Sequence, residues 1–299
     1  MHRWGEQYLY SPTLFQKIIS LILLPLSWLY CGVMYLRYLR MKPLEFSIPV
    51  VSVGNLTVGG SGKTPLVTAL ARDYKRPAIL LRGYGRQSKG VVIVSDAGDI
   101  QCDVTQSGDE AMIYAHKLSH AVVIVSECRE CVIGLVEQMG CDVLFLDDGY
   151  SKHRIRKLDL LIDVQTTNSA CLPSGPYRER LWSGKEAVML REGEAFKRLT
   201  ELKDPTSKMV LVTAIARPER LDPYLPEVVG KYYFNDHYFF TRAELEAILE
   251  KSGAESLLVT YKDYVKMADF GLPISLLDLD LELSETLIET VEKYVKGNR

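Results

Sequence analysis

Several features are scarce in this sequence, and each scarcity excludes a class of protein. The six cysteines are scattered through 299 residues, unlike the dense framework of a small secreted domain, so we expect a reducing compartment. Neither sign of charge is in excess, since 36 basic and 38 acidic side chains leave a formal net charge of -2. The chain therefore lacks the positive field that non-specific nucleic-acid binding requires, and we expect no nucleic-acid partner.

Low-complexity segments and internal repeats are also missing. With 47% hydrophobic and 25% charged residues, the composition is that of a globular protein. At roughly 150 residues per domain, the length predicts about two domains.

Charges are absent from Ile18 to Leu36. A helix over this run would be about 28 Å long, close to the ~30 Å hydrocarbon core of a bilayer. Pro25 and Gly32 interrupt the run, so the helix could span the membrane or lie in its interface with a kink at Pro25. A buried core helix is the alternative.

Basic residues flank this run unequally. Lys17 precedes it, whereas Arg37, Arg40 and Lys42 follow it, so the positive-inside rule predicts a cytoplasmic location for the rest of the chain. A cleaved signal peptide is not expected, because the run is longer than a signal h-region and no small-x-small site follows.

Beyond Pro43, short apolar runs alternate with helical patterns, which indicates βαβ units around a parallel sheet. The pattern restarts near Lys208, which predicts a second, smaller α/β domain. We expect a membrane-associating segment at 1–43, a P-loop domain at 44–207 and the smaller domain at 208–299. The predicted elements of the first domain are strands 48–53, 78–81, 91–94, 121–125, 143–146 and 160–164, and helices 64–74, 109–118 and 129–139. Those of the second are strands 209–213 and 256–260, a strand near 232, and helices near 219, at 241–251 and at 284–296.

A glycine-rich loop follows the first predicted strand and runs straight into a helix. It consists of Thr57, Val58, Gly59, Gly60, Ser61, Gly62, Lys63 and Thr64. In a P-loop, backbone N–H groups turn toward phosphate oxygens, the lysine reaches the terminal phosphates, and the hydroxyl after it binds Mg²⁺. The strict P-loop pattern has glycine where Thr57 stands, but the order of strand, glycines, Lys-Thr and helix still predicts nucleotide binding.

Carboxylates occur at two further positions where the fold would place ligands. Asp147 and Asp148 end a buried strand, where open α/β sheets bind their ligands, so a Mg²⁺ site is favoured over a solvated turn. Asp109 and Glu110 open a helix after Gly108. There, helix capping and a general base have the same sequence signature.

Two other motifs are weaker. Cys128 and Cys131 have no second ligand pair to complete a zinc site, and their helical context favours buried thiols. His237 follows Asp236, where a carboxylate could tune an imidazole, although a structural histidine is the alternative.

A set of motifs, taken in order, resembles the tetraacyldisaccharide 4'-kinase family, the lipid A kinases of Gram-negative bacteria. The resemblance extends from the N-terminal apolar segment to about Lys266. It rests on Val53 to Pro65, Arg82-Gly83-Tyr84-Gly85-Arg86, Gly108-Asp109-Glu110, Asp147-Asp148-Gly149, Leu172 to Pro176 with Arg178-Glu179, Pro218-Glu219-Arg220, Asp236-His237, and Thr260 with Lys262-Asp263.

The resemblance implies ATP-dependent phosphorylation of the 4'-hydroxyl of a tetraacyl disaccharide 1-phosphate at the cytoplasmic face of the inner membrane, by two α/β domains joined by a hinge. We expect a monomer. Its implied site consists of Lys63 and Thr64 for phosphate and Mg²⁺, Asp147 and Asp148 for the metal, Asp109 as general base tuned by His237, Glu110 as a further metal position, and Arg129 and Arg178 as catalytic arginines. Phosphoryl transfer depends mostly on positioning and charge neutralisation, which such a set supplies.

The chain departs from the family at two places. The family's Gln-His after the acidic pair is replaced by Ser151-Lys152, with His153 displaced by one residue, and its Thr-Glu-Lys-Asp reads Thr260-Tyr261-Lys262-Asp263. These departures concern substrate contacts.

A protein with this P-loop could have one of three alternative functions. A membrane-associated regulatory ATPase of the partition type shares its core, but such proteins carry a signature lysine where Val58 stands. A GTPase is disfavoured because the sequence has no Asn-Lys-x-Asp motif. A non-catalytic membrane scaffold has no use for this set of acidic and phosphate-binding residues.

Overall fold

The computed structural model of the protein describes residues 2–60 and 62–298, so Ser61 of the predicted P-loop lies outside the described residues. The helices are α1 (His2–Tyr10), α2 (Leu14–Arg40), α3 (Lys63–Ala71), α4 (Val104–Ser107), α5 (Asp109–Lys117), α6 (Ile133–Gln138), α7 (Arg242–Ser252), α8 (Tyr261–Tyr264) and α9 (Glu285–Gly297). The strands are β1 (Val50–Gly54), β2 (Pro77–Leu81), β3 (Val92–Asp96), β4 (Asp99–Ile100), β5 (Val122–Val125), β6 (Val143–Asp147), β7 (Leu158–Ile162), β8 (Val188–Leu190), β9 (Phe196–Lys203), β10 (Met209–Thr213), β11 (Gly230–Tyr233), β12 (Ser256–Thr260) and β13 (Ile274–Leu283). Short 3-10 helices cover Pro218–Tyr224 and Ala268–Phe270.

The larger sheet has the strand order β4-β3-β5-β2-β6-β1-β7-β8. The six neighbouring strands β5-β2-β6-β1-β7-β8 are parallel, whereas β3 pairs antiparallel with β5 and with β4. The strands β1, β2, β5 and β6 are buried along their length, because helices cover both faces of the sheet. This burial explains their near-continuous apolar sequences and confirms the predicted α/β class.

The register of the central strands positions the candidate site. Val53 of β1 lies opposite Asp147, the last residue of β6. Because the two strands are parallel, the loop that leaves β1 and the carboxylates that follow β6 lie at the same edge of the sheet.

The smaller sheet has the order β11-β10-β12-β13-β9. Its strands are parallel except for β9, which pairs antiparallel with β13 from Phe196 opposite Leu283 to Lys203 opposite Leu276. The helix α7 packs on this sheet through Leu245 and Ile248. The predicted second α/β unit is therefore present, with strands at 209–213 and 256–260 as expected.

Two elements cross between the predicted domains. The strand β9 joins the smaller sheet although it precedes residue 208. The helix α9, expected within the smaller domain, packs Leu287, Val291 and Val295 into the core of the larger sheet. These residues form one apolar stripe with a spacing of four, which needs an apolar surface to cover.

The predicted helix 129–139 begins only at Ile133. The preceding turn is stabilised by Ser126, whose Oγ accepts from the Cys128 N–H (3.2 Å) and donates to the Cys128 carbonyl (3.1 Å). Such local side-chain bonds compete with helix formation. The interpretation of Cys128 and Cys131 as buried thiols in a helix is wrong, because they form a disulfide in this turn and Cys131 is exposed.

The apolar segment forms one helix, α2, that is longer than predicted and continues through Pro25. Thr13 and Gln16 cap its start with reciprocal hydrogen bonds. Its apolar side chains face solvent, with Ile22 71% and Trp28 70% exposed. The alternative of a buried core helix is therefore wrong.

One narrow polar face of α2 contacts the rest of the protein. The hydroxyls of Ser20, Ser27 and Tyr30 donate to the carbonyls of Ser174 (2.7 Å), Cys171 (2.9 Å) and Arg178 (3.0 Å). Near the end of the helix, the Tyr38 ring lies edge-on to His153. The helix therefore lies alongside the protein body.

Candidate active site

The P-loop wraps the start of α3 in the conformation that its glycines permit. Gly59 has φ +94°, and Gly62 has φ +85° where it caps α3. Both values lie in the region that side chains rarely adopt. Gly60 is exposed, and its carbonyl accepts from Arg220 Nη1 at 3.3 Å.

Asn55 explains why threonine is compatible with the first P-loop position. Its Nδ2 donates to the carbonyl (2.8 Å) and the Oγ1 (3.1 Å) of Thr57. Thr57 is buried, and its hydroxyl oxygen is used in this contact. Val58 is held through its backbone, since its N–H donates to Pro176 O (2.9 Å) and its carbonyl accepts from the Tyr10 hydroxyl.

Lys63 and Thr64 point toward the acidic pair. Lys63 Nζ lies 3.2 Å from Asn55 Oδ1 and 3.6 Å from Asp148 Oδ1. Thr64 is half-buried beside the phenol of Tyr114. The same phenol donates to Asp147 Oδ2 at 2.8 Å, so one tyrosine connects the P-loop helix with the carboxylate at the end of β6.

The two carboxylates of the acidic pair differ in their surroundings. Burial raises the pKa of Asp147 above its ordinary value, although Lys63 opposes the shift. Burial would also raise the pKa of Asp148, but Lys63 and Arg178 outweigh it and hold that pKa below its ordinary value. Asp148 adopts φ +55°, an uncommon conformation that turns its carboxylate toward Arg178.

One carboxylate oxygen of Asp147 is available as a metal ligand. Its Oδ1 is buried and has no hydrogen-bond partner within residues 2–60 and 62–298. In that part of the chain, no three His, Cys, Asp or Glu side chains form a ready metal cage. A metal ion at Asp147 would therefore need ligands from bound phosphates, which is how proteins usually hold Mg²⁺.

Asp109 is buried at the start of α5 and contacts side chains from the loop after β11 and from α8. Its Oδ2 lies 2.9 Å from His237 Nδ1 and 3.7 Å from Lys262 Nζ. Burial would raise the pKa of Asp109, but the His237 hydrogen bond and the Lys262 charge outweigh it and keep that pKa below the ordinary value. Lys262 is in turn bound to Asp236 at 2.8 Å.

A close backbone contact places Asp109 at this point. Gly108 has φ +82°, and a Cβ there would lie 2.8 Å from the carbonyl of Tyr84. The Gly108 turn therefore interlocks with the Arg82-to-Arg86 turn, whose Tyr84 ring lies 5.2 Å from the ring of His237. Of the two arginines in that turn, Arg86 is bound to Glu127, whereas Arg82 is exposed.

Glu110 interacts electrostatically with both Asp147 and Asp109. Burial, together with the charges of Asp147 and Asp109, raises the pKa of Glu110 to about 7. The opposing charges of Lys262 and Lys63 also act on it. Groups that lie in the P-loop, at the end of β6 and in α8 are thus within electrostatic range of one carboxyl group.

The two predicted arginines both lie near the acidic pair. Arg178 Nη2 contacts Asp148 and lies 3.3 Å from Asn55 Oδ1. Arg129 is 3% exposed, and its Nη1 donates to the Ser126 carbonyl. Burial lowers the pKa of Arg129 to about 10, against the charges of Asp147 and Asp148, so it stays a cation at neutral pH.

Several contacts around the P-loop were not predicted. Tyr10 and Arg217 lie over Gly59, where a Cβ would be 3.6 Å from Tyr10 Oη and 3.8 Å from Arg217 Nη2. Arg217 also pairs with Glu6 of α1. No sequence signal joins these residues, because α1 and the smaller sheet meet at the P-loop only in the folded chain.

The residues that replace the family's Gln-His take different positions. Lys152 is half-buried, and among the charges that act on it are Arg129, Glu130 and Arg37. His153 is buried away from the acidic pair, with Nδ1 2.8 Å from Lys185 Nζ and Nε2 3.7 Å from Glu179 Oε2.

Comparisons with known proteins show the family of the chain. The family model for tetraacyldisaccharide-1-P 4'-kinase matches residues 19–203 and 190–296. The tetraacyldisaccharide 4'-kinase of Aliarcobacter butzleri is 43% identical, over 99% of this chain and 98% of its own. That of Campylobacter jejuni (strain NCTC 11168) is 42% identical, over 98% and 96%. A crystal structure of LpxK from Aquifex aeolicus, described as an "apo" form in complex with ATP, has a TM-score of 0.73 and 27% identity, covering 94% of this chain and 99% of that one.

These relatives share nearly the whole chain, so the match is not confined to the P-loop. Neither they nor the site geometry favour the alternative of a partition-type ATPase. The chain belongs to the tetraacyldisaccharide 4'-kinase family of enzymes.

Proposed function

We propose that this protein transfers the γ-phosphoryl group of ATP to the 4'-hydroxyl of a tetraacyl disaccharide 1-phosphate, a step of lipid A biosynthesis. The observation that carries the proposal is the convergence at Glu110. The charges of Asp147, Asp109, Lys262 and Lys63 all act on this one carboxyl group. The proposed phosphate-binding lysine, metal-binding carboxylate and histidine-held base therefore lie within electrostatic range of one carboxyl group.

The P-loop and its neighbours would bind the phosphates of ATP. Backbone N–H groups at Gly59, Gly60 and Gly62 and the ammonium of Lys63 supply positive potential at the start of α3. Thr64, Asp147 and Asp148 are the proposed magnesium ligands, with Glu110 adjacent. Mg²⁺ would neutralise charge on the phosphate oxygens.

Asp109 would act as the general base. A carboxylate with a lowered pKa is ionised at neutral pH, so it is ready to accept the proton of the sugar hydroxyl as the oxygen bonds to phosphorus. His237 holds the carboxylate through its Nδ1, and Lys262 helps to keep it ionised.

Arg129 and Arg178 add positive charge close to Asp147 and Asp148. In a water-shielded site, fixed cations stabilise the negative charge of the transferring phosphoryl group. The 1-phosphate of the lipid is the second anion that such arginines could bind.

We infer that α2 lies in the membrane interface at the cytoplasmic face of the inner membrane. Its contacts with the body run from Ser20 to Tyr38, which is about 27 Å of helix. A helix docked over that length cannot cross the bilayer while the body stays on one side. Its exposed apolar side chains would instead enter the lipid. One chain assembles the whole candidate site, which supports a monomer as the active unit.

The test is phosphoryl transfer from γ-labelled ATP to a tetraacyl disaccharide 1-phosphate in mixed micelles, with the product's 4'-phosphate located by NMR. Lys63→Ala is the matched control, because it removes the phosphate-binding cation. Label transfer that is absent, or equal in the two proteins, would overturn the proposed function.

A further inference from the structure

The cysteine pair at Cys128 and Cys131 encloses a residue of the candidate active site. The two Cα atoms lie 5.4 Å apart and the sulfurs are bonded, so the chain from 128 to 131 is a closed ring. Arg129 lies inside that ring, and its side chain is buried within electrostatic range of Asp147 and Asp148.

Non-covalent contacts also restrain this turn. Arg86 Nη2 and the Gly90 N–H hold the Glu127 carboxylate, at 2.5 Å and 3.1 Å. Ser126 bonds to Cys128. The Arg129 carbonyl accepts from the Val132 N–H at 3.2 Å. The disulfide is therefore the covalent restraint on the segment that carries the arginine.

The pair is also accessible to small molecules. Cys131 is exposed and Cys128 half-buried, so a thiolate in solution can reach a sulfur of the bond. The remaining cysteines in the described part of the chain, Cys31, Cys102, Cys141 and Cys171, are free. Because exposed disulfides are the exchangeable ones in proteins, the location of this pair indicates a reversible bond.

We propose that Cys128 and Cys131 are a thiol–disulfide exchange site whose closure holds Arg129 in the candidate active site. The oxidant is a low-molecular-weight disulfide such as glutathione disulfide. One cysteine thiolate attacks it, forming a mixed disulfide and releasing one small thiolate. The second cysteine thiolate then attacks the protein sulfur and releases the other. Two cysteines lose two electrons, the small disulfide gains them, and the cysteine protons pass to the released thiolates.

The activity part of this proposal rests on the proposed kinase function. With the ring open, the backbone around Arg129 regains freedom, so the arginine is less well positioned for charge stabilisation. We expect kcat/KM about fivefold lower in the reduced protein than in the oxidised one.

The experiment equilibrates the full-length protein with reduced or oxidised glutathione and traps free thiols with N-ethylmaleimide. Peptide mass spectrometry then reports the state of each cysteine. Amide hydrogen exchange at residues 126–132 reports the order of the turn, whatever the kinase activity. We expect the oxidised protein to protect both cysteines from alkylation and to exchange these amides more slowly.

Matched variants separate this pair from the other thiols. In both buffers, Cys128→Ser/Cys131→Ser should show the amide hydrogen-exchange rate and the kcat/KM of the reduced protein. Cys102→Ser/Cys141→Ser should still change both quantities between the two buffers, as the wild type does. Alkylation of Cys128 and Cys131 in oxidised buffer would overturn the proposal. Equal amide hydrogen exchange and equal kcat/KM in the two redox states would also overturn it. Kinase activity lost in both states with the exchange difference intact would reject the kinase assignment instead.

Discussion

Replacing Asp109 with asparagine is the sharpest test of the proposed chemistry. Asparagine keeps an oxygen acceptor for His237 Nδ1, now 2.9 Å from the carboxylate, so the local geometry should survive. Lys262 retains Asp236 at 2.8 Å, so no cation is left without a partner. The substitution therefore removes the proton acceptor with little structural damage.

The expected loss of rate in Asp109→Asn follows from the proposed role of Asp109 as general base. General-base catalysis typically contributes 10²- to 10⁴-fold, about 2.7 to 5.4 kcal/mol at about 1.36 kcal/mol per tenfold. Single-turnover transfer from labelled ATP to the lipid should slow by that amount in Asp109→Asn, while equilibrium binding of ATP changes little. A rate within about threefold of wild type would refute the assignment of Asp109 as base.

His237 provides the companion measurement. Without His237, the effect of burial on Asp109 meets less opposition, so the pKa of Asp109 should rise toward its ordinary value. The carboxylate would then be protonated at higher pH, and the acid limb of the pH–rate profile of His237→Ala should move upward. If His237 only stabilises the fold, the limb stays in place and the melting temperature alone falls.

Further predictions concern the phosphate, metal, membrane and lipid contacts. Lys63→Ala should lower turnover by at least about 100-fold, measured with saturating ATP. Because the pKa of Glu110 is about 7, wild-type activity at limiting Mg²⁺ should fall as the pH drops through neutrality, and Glu110→Gln should lack that limb. A chain starting at residue 43 should lose binding to anionic vesicles but keep ATP binding. Lys152→Ala should raise KM for lipid and keep turnover within about tenfold, whereas His153→Ala should lower the melting temperature and leave turnover of the folded protein intact; a collapse of turnover only in the histidine variant would reverse this assignment.

The sequence predicted those elements whose physical signal is local. Continuous apolar runs mark β1, β2, β5 and β6 because both faces of these strands are buried. The P-loop is equally local, since its glycines, lysine and helix are consecutive. The strand β13 was missed although its alternating Leu-Leu-Asp-Leu-Asp-Leu-Glu-Leu carries the period of a half-buried strand.

Contacts between distant segments could not be predicted from residue patterns. The family resemblance pointed to Asp109 and His237 as partners, but nothing in the spacing placed Lys262 at 3.7 Å from the same carboxylate. Similarly, the contact of the Tyr10 hydroxyl with Val58 depends on how α1 returns to the P-loop. Such contacts arise from tertiary packing, which has no period along the chain.

The position of α9 has a consequence for synthesis on the ribosome. The larger sheet and α3 emerge early, but the apolar surface that Leu287, Val291 and Val295 will cover stays open until α9 has been made. The nascent chain must therefore carry an unfinished core while the whole smaller sheet is translated. Deletion of α9 alone should leave a protein prone to chaperone capture and proteolysis, even though every proposed catalytic residue is present.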